Sequence, residues 1–201
     1  MGRKQPRELR LAARLLEPGP VVLVTTQHRA RPNVMTAAWV MPLSLEPPRV
    51  ALAIHPSRLT HELIGKSEYF ALNLLTVEHL PAIHLCGTVS GRDLDKFART
   101  QLHPVDALEV DAPVIEEAVA QIECGVVGRL GLGDHDLFVG DVLAVAADEE
   151  LFGDRWLHLE EAPLPHHIGA EWYGAVSRLY RARIPGEEEE ETETLQEESG
   201  R

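Results

Sequence analysis

The sequence predicts a mainly β, α+β fold: an antiparallel barrel decorated with a few short helices. Three observations predict it. Short β-branched or apolar runs recur along the chain, at residues 21–26 (VVLVTT), 49–54 (RVALAI) and 69–75 (YFALNLL). Two longer β-rich runs, 119–130 and 137–147, flank Gly131-Leu132-Gly133-Asp134-His135, the pattern of a hairpin. The strands do not alternate with long helices, and no GxGxxG opens a helix after a strand. A parallel, doubly wound sheet is therefore disfavoured.

In chain order, residues 1–16 mix Arg3, Lys4, Arg7, Arg10 and Arg14 with Leu9, Leu11, Leu15 and Leu16, the pattern of a short basic amphipathic helix. Pro18-Gly19-Pro20 ends it. Residues 21–26 form a buried strand, and 27–32 a polar turn. Residues 33–45 have no clean period, and a short turn or helix is expected near Thr36-Ala37-Ala38-Trp39. Pro47-Pro48 imposes an extended entry to the strand at 49–54. Residues 60–65 read as a helix with Thr60 as its N-cap. A strand at 69–75, a short helix at 77–86 with Pro81 near its start, and a helical turn at 93–100 follow. Beyond the hairpin, 155–159 alternates like a short strand and 175–182 reads as a closing helix. One domain spans 17–185. The tail, 186–201, is expected to be disordered, because a charged low-complexity run has almost nothing to bury against its ordering entropy.

Composition narrows the function. The chain has 201 residues, 44% of them hydrophobic, enough for one sizeable core. Its net charge is −13, and the eight Glu and one Arg of residues 187–201 supply −7 of it. The remaining body is also acidic, which disfavours a nucleic-acid partner. No run approaches the ~20 apolar residues of a membrane span. Cys86 and Cys124 have neither CxxC nor finger spacing, and no secretory signal precedes them. They are expected to be buried free thiols in a cytoplasmic protein. His79, His84 and Cys86, or His166-His167, lack recognised metal spacings, so no metal is expected.

Three constellations remain. The first is Asn33-Val34-Met35-Thr36-Ala37-Ala38-Trp39 followed by Leu43-Ser44-Leu45-Glu46-Pro47-Pro48. The second is His55-Pro56-Ser57-Arg58-Leu59-Thr60-His61 leading into Phe70-Ala71-Leu72-Asn73. The third is Gly87, Ser90-Gly91-Arg92 and Asp95-Lys96-Phe97, with Gly133-Asp134-His135 and Phe138-Val139-Gly140-Asp141-Val142 much later. Together, in this order and at these spacings, they resemble the flavin-reductase-like FMN-binding split-barrel family, closest to its flavoredoxin branch. The resemblance implies an antiparallel Greek-key split barrel that binds FMN in a cleft at a homodimer interface.

Chemistry distributes the roles. Ser57 and Thr60 offer hydroxyls, and Arg58 a charged fork, to a phosphate at a helix start. Asn33 donates and accepts at once, and the small Thr36, Ala37 and Ala38 let backbone N–H groups approach a ring edge. Trp39 walls the cleft or packs in a core or interface. Ser44 reaches the flavin or only shapes a turn. By the resemblance, Ser90, Arg92 and Lys96 lie on a loop that meets the FMN phosphate or a nicotinamide cofactor's phosphates; otherwise Arg92–Asp95 and Asp93–Lys96 pair locally. By the resemblance, His135 lies near the flavin or nicotinamide, where an imidazole can donate a hydrogen bond or carry charge; otherwise it is a solvent-facing turn residue. Trp172 or Tyr173 can cover the cleft or merely pack. Hydride transfer needs stacking and water exclusion rather than a protein nucleophile, so His135 is expected to assist. The resemblance implies an oxidoreductase moving electrons from NADH or NADPH through FMN to free flavin, ferric chelate or a protein partner. An electron carrier without its own nicotinamide site, and a non-redox flavin-binding protein, are the alternatives. Many family reductases carry small hydroxyl residues where this chain has Ala37, Ala38 and Trp39, a departure that bears on reductase activity more than on FMN binding.

Overall fold

A computed structural model describes residues 19–176, 178 and 180. The expected N-terminal helix and acidic tail lie outside them. The main sheet has seven strands: β2 (Val22–His28), β3 (Arg31–Ala37), β4 (Val40–Leu45), β5 (Pro48–Ile54), β6 (Tyr69–Leu74), β9 (Ala120–Gly131) and β10 (Asp136–Ala147). Their order is β3-β2-β6-β9-β10-β5-β4, every pairing antiparallel. A three-stranded sheet joins β1 (Gly19–Pro20), β11 (Pro165–Gly169) and β12 (Trp172–Ala175), and β7 (Pro104–Val105) pairs with β8 (Val114–Ile115). The helices are short: α1 (Leu59–Ser67), α2 (Leu80–Thr88) and α3 (Lys96–Thr100).

The seven-stranded sheet curls around one core. Inward residues of β3 (Met35, Ala37) share a cluster with those of β5 (Val50, Leu52, Ile54), although these strands lie far apart in the strand order. Phe70, Cys124 and Phe138 complete the centre. A Cβ on Gly140 would stand 2.7 Å from Phe70 Cζ, so β10 passes the Phe70 ring only because residue 140 has no side chain. The opposite face of β2 and β3 is buried too. Val21, Leu23 and Val34 join Leu75, Ile83, Cys86, Phe97 and Ile115 under α2 and α3. This two-sided burial explains why residues 21–24 are continuously apolar rather than alternating. It also holds Cys86 and Cys124 in separate clusters as free thiols. Burial pushes the Cys86 thiol up to about 11 and the Cys124 thiol up to about 12.

Four local expectations are corrected. Residues 36–39 form no helix: β3 runs to Ala37 and β4 starts at Val40. Thr60 is not the N-cap of α1. Arg58 holds that position, and Thr60 lies inside the helix. Residues 155–159 contribute only an isolated bridge, Phe152 to Trp156. The expected closing helix at 175–182 begins instead on the last residue of β12, and 177, 179 and 181–182 lie outside the described residues. The polar turn expected at 27–32 is tighter than its composition implied. Arg29 and Ala30 alone turn the chain, both at positive φ (53° and 55°), the two-residue geometry that follows strand twist.

Candidate functional site

Where β3 steps into β4, the chain leaves an open cleft of about 600 Å³. Thr36, Ala37, Ala38 and Trp39 form one wall. The end of β5 and the loop to α1 supply Ile54, His55, Ser57 and Arg58, while Gly87, His135 and His167 approach from α2, the β9–β10 turn and β11. A smaller pocket of about 80 Å³ shares Met35, Ser57 and Arg58 with this cleft and adds Asn33, Thr60, Ser90, Gly91 and Lys96. The fold thus gathers residues 33–39, 55–60, 87–96 and 135 from four separate stretches of sequence.

Lys96 dominates the small pocket. It is 5% exposed, and its Nζ donates to the carbonyls of Val34 (2.9 Å) and Cys86 (2.8 Å). Among the described residues no carboxylate pairs with it, contrary to a local Asp93–Lys96 bridge. Burial holds the Lys96 ammonium below the ordinary lysine value, and the Arg58 charge adds to the effect. A buried cation of this kind is costly unless a negative group meets it. Arg58, exposed at the start of α1, lines both hollows, and Ser57 stands beside it.

Asn33 and Thr60 build the pocket floor. Asn33 Nδ2 donates to Thr60 Oγ1 at 2.7 Å, and both residues are buried. Gly91 lies directly over Asn33: a Cβ there would stand 2.1 Å from Asn33 Oδ1. Thr36 lines the large cleft, but its hydroxyl donates to the Ile83 carbonyl and so ties β3 to α2. Ser90 reaches the small pocket, and its Oγ accepts from the Arg92 N–H at 3.1 Å.

Two expected site residues lie elsewhere. Ser44 sits near the far end of β4, beyond the cleft lining, because the strand carries the chain away after Trp39. The Arg92 guanidinium is committed to the Ser57 carbonyl (2.9 Å) and the Glu62 carboxylate (2.8 Å), so it braces the 90s loop against α1. It faces a third hollow of about 390 Å³, beyond Asn33 and Gly91. The local Arg92–Asp95 pair is not formed; Asp95 instead caps α3 through Ala98 N.

Histidines ring the cleft mouth. His135 packs on Trp39 at 4.7 Å and meets the edge of His55 at 5.3 Å. Its Nδ1 is 2.9 Å from Asp134 Oδ1, and this hydrogen bond holds the Asp134 carboxyl below its usual range. His55 Nδ1 accepts the Ser57 backbone N–H at 3.1 Å. Tyr173 packs edge-on to His84 and His167, whereas Trp172 is exposed. Gly87, His55 and His167 were not assigned to the cleft from sequence. His55 begins the Pro-Ser-Arg run and so carried a signal; His167 carried none.

A clamp between buried His61, half-buried Asp136 and exposed Arg129 supports the mouth from behind. Asp136 Oδ2 binds Arg129 Nε (2.8 Å) and lies 2.8 Å from His61 Nε2, joining β10, β9 and α1. These contacts, His61 first, hold the Asp136 carboxyl below its usual range. Among the described residues no group of three potential metal ligands converges, and no helix is long and apolar enough to cross a membrane.

The profile of the family described as "Flavin reductase like domain" matches residues 14–167. The chain belongs to that family. Its split-barrel fold is that of the FMN-binding flavin reductase-like proteins. An uncharacterised protein of Pyrococcus abyssi is 38% identical over 169 residues, covering 84% of this chain and 97% of its own length. Among solved structures, an FMN-binding protein of Thermus thermophilus with bound p-hydroxybenzaldehyde is 29% identical, with a TM-score of 0.77 over 91% of this chain and 99% of its own. The flavoredoxin of Desulfovibrio vulgaris (Miyazaki F) is 27% identical, with a TM-score of 0.78 over 90% of this chain and 99% of its own.

Proposed function

We propose that this flavin reductase-like protein binds FMN across the two joined hollows and works as an FMN-dependent oxidoreductase, taking electrons from NADH or NADPH. The observation that carries the reading is Lys96: a buried ammonium with no acidic partner among the described residues, facing a pocket also lined by Ser57, Arg58, Thr60 and Ser90. A phosphate dianion supplies the missing charge, and the residues present fit it. Arg58 and Lys96 neutralise it, Ser57 and Ser90 offer hydroxyls, and the first residues of α1, Leu59 and Thr60, line the same space. Thr60 acts mainly through Asn33, by fixing the pocket floor.

The large cleft suits a planar ring. Ala37 and Ala38 leave room for close backbone approach, and Trp39 and His135 border it. Bound FMN supplies reversible electron and hydride transfer. The chain's own residues orient the ring and exclude water from one side, and His135, steadied by Asp134, assists as a hydrogen-bonding group at the cleft edge.

The acceptor is free flavin, ferric chelate or a protein partner. The likeness to a flavoredoxin supports a second reading, an electron carrier without its own nicotinamide site. We also propose a cytoplasmic homodimer. Exposed Met41, Leu43 and Leu45 on the edge strand β4, with Leu143 and Val145 on β10, support the dimer, and two buried free thiols suit a reducing compartment. The test is spectroscopic. Purified protein should take up FMN and turn yellow, then bleach on anaerobic addition of NADH or NADPH. Bleaching only by dithionite or a reduced protein supports the carrier. Failure to take up FMN ends both readings.

A further inference from the structure

Residues 55–60, which carry Ser57, Arg58 and Thr60, are held at both ends by a single residue. Ile54, the last residue of β5, precedes the run and pairs across the sheet with Asp136. His61 follows the run in the first turn of α1, and its Nε2 stands 2.8 Å from Asp136 Oδ2. Asp136 therefore grips one end through its backbone and the other through its side chain, and the run is closed into a loop. His61 is buried, and its ring packs edge-on to Phe138 at 5.2 Å, which gives the imidazole an apolar seat. Neither His61 nor Asp136 lines the ring cleft or the phosphate pocket. Their contact can act on a ligand only through the loop it closes.

The charge of this clasp is cancelled where it stands. A bare carboxylate behind a phosphate cradle would repel the ligand. Asp136 Oδ2 accepts from Arg129 Nε at 2.8 Å and from Nη2 at 2.5 Å, and that guanidinium lies over the Phe138 ring at 5.4 Å. The oxygen accepts from His61 as well, so Nε2 carries a proton. The carboxylate serves as an anchor, while Arg58 is the charge that the loop shows to the cleft. Asp136 also directly follows His135, which meets His55 edge to face at 5.3 Å. One residue thus fixes the loop and the turn beside it.

We infer that Asp136 and His61 are positioning residues for the phosphate end of the flavin: their hydrogen bond fixes the span of residues 55–60, and with it the places of Ser57 and Arg58, before the ligand arrives. The inference rests on the reading of that loop as part of an FMN phosphate site. A loop ordered in advance spares the ligand the entropy of ordering it. Only a ligand that carries a phosphate gains, so the contact sets the preference for FMN over riboflavin.

The test is titration of FMN and riboflavin, read by flavin fluorescence, into wild type, His61→Leu and His61→Gln, each alone and combined with Arg58→Ala. Leucine removes the donor, whereas a glutamine amide N–H can reach the same oxygen. Circular dichroism establishes folding, and His61→Asn, polar but too short to reach Asp136, replaces His61→Leu if the latter does not fold. His61→Leu should bind FMN roughly tenfold or more weakly and riboflavin within about twofold of wild type. His61→Gln should recover most of the loss. Beside Arg58→Ala the leucine substitution should cost FMN about threefold or less, because the loop then has less to position. Equal losses for the two flavins, glutamine no better than leucine, an undiminished loss beside Arg58→Ala, or no loss at all would overturn the inference. Wild-type protein that takes up no FMN would instead sink the flavin reading on which it rests.

Discussion

Replacing Lys96 with Met tests the phosphate cradle at its centre. Methionine keeps the length and apolar stem of lysine but removes the charge and its donors. In the wild type, Nζ already gives two N–H groups to Val34 O and Cys86 O, which leaves one for a ligand. A hydrogen bond to a charged partner contributes about 1.5–3 kcal/mol. Loss of that single contact should weaken FMN binding roughly 10- to 150-fold. Riboflavin has no phosphate, so its affinity should change little. The assay is flavin fluorescence titration with both ligands, after circular dichroism confirms that Lys96→Met is folded. A pH series adds an independent signature. Because burial holds Lys96 below the ordinary lysine value, it loses its proton before a free lysine would. Wild-type FMN affinity should therefore fall as pH rises through that lowered value, and the variant should lack this limb. In flavin-free protein the sign is opposite: between the lowered value and the ordinary one the unfolded chain binds more protons, so the Lys96 contribution to stability improves as pH rises. Equal loss of FMN and riboflavin, or no loss of either, would refute the cradle.

Three further outcomes are expected. Arg58→Ala should weaken FMN by about 1–3 kcal/mol and riboflavin by much less, because the exposed guanidinium lines both hollows without an ion-pair partner among the described residues; calorimetric titration of the two flavins measures it. Gly91→Ala should destabilise the fold by about 1–3 kcal/mol and lower FMN affinity, since a Cβ 2.1 Å from Asn33 Oδ1 drives the amide off Thr60; a shift in the urea midpoint reads the first effect. Asp136→Asn should be less stable than wild type at neutral pH, with the gap closing as pH falls through the depressed Asp136 value, below the usual carboxylate range. Urea unfolding at a series of pH values checks it, and a gap that persists in strong acid would contradict the clamp.

Much of the barrel is legible from β-branched and apolar runs. Strands β2, β5, β6 and the β9–β10 hairpin fall within a few residues of where the sequence puts them, because side-chain type there agrees with local pairing. The β3–β4 step is not legible for a physical reason. Val34 and Met35 are adjacent yet both buried, one in each apolar cluster, so the expected alternation is erased and small residues beside Trp39 imitate a helix. Site residues divide similarly. The run from Ser57 to Thr60 announces a polar pocket through its own composition. Lys96 enters the site only through the resemblance, since nothing local records that Cys86 and the distant Val34 will enclose it. Arg92 enters the site through the resemblance, but its reach to Glu62 depends on α1 packing beside the 90s loop. The turn at Arg29-Ala30 lacks the Asn-Gly pair that marks such hairpins, so only the structure reveals its length.

Because β2 presents Val22 and Val24 to one apolar cluster and Leu23 to the other, with Val21 just ahead of it also facing the second, it is the shared partition of two compartments. Neither compartment can melt without exposing a face of that partition, which couples the barrel to the helical flank in a single cooperative unit. Amide protons along residues 22–26 should therefore exchange only through complete unfolding, at one common free energy, and the ligand-holding loops should open and close against a wall that stays shut.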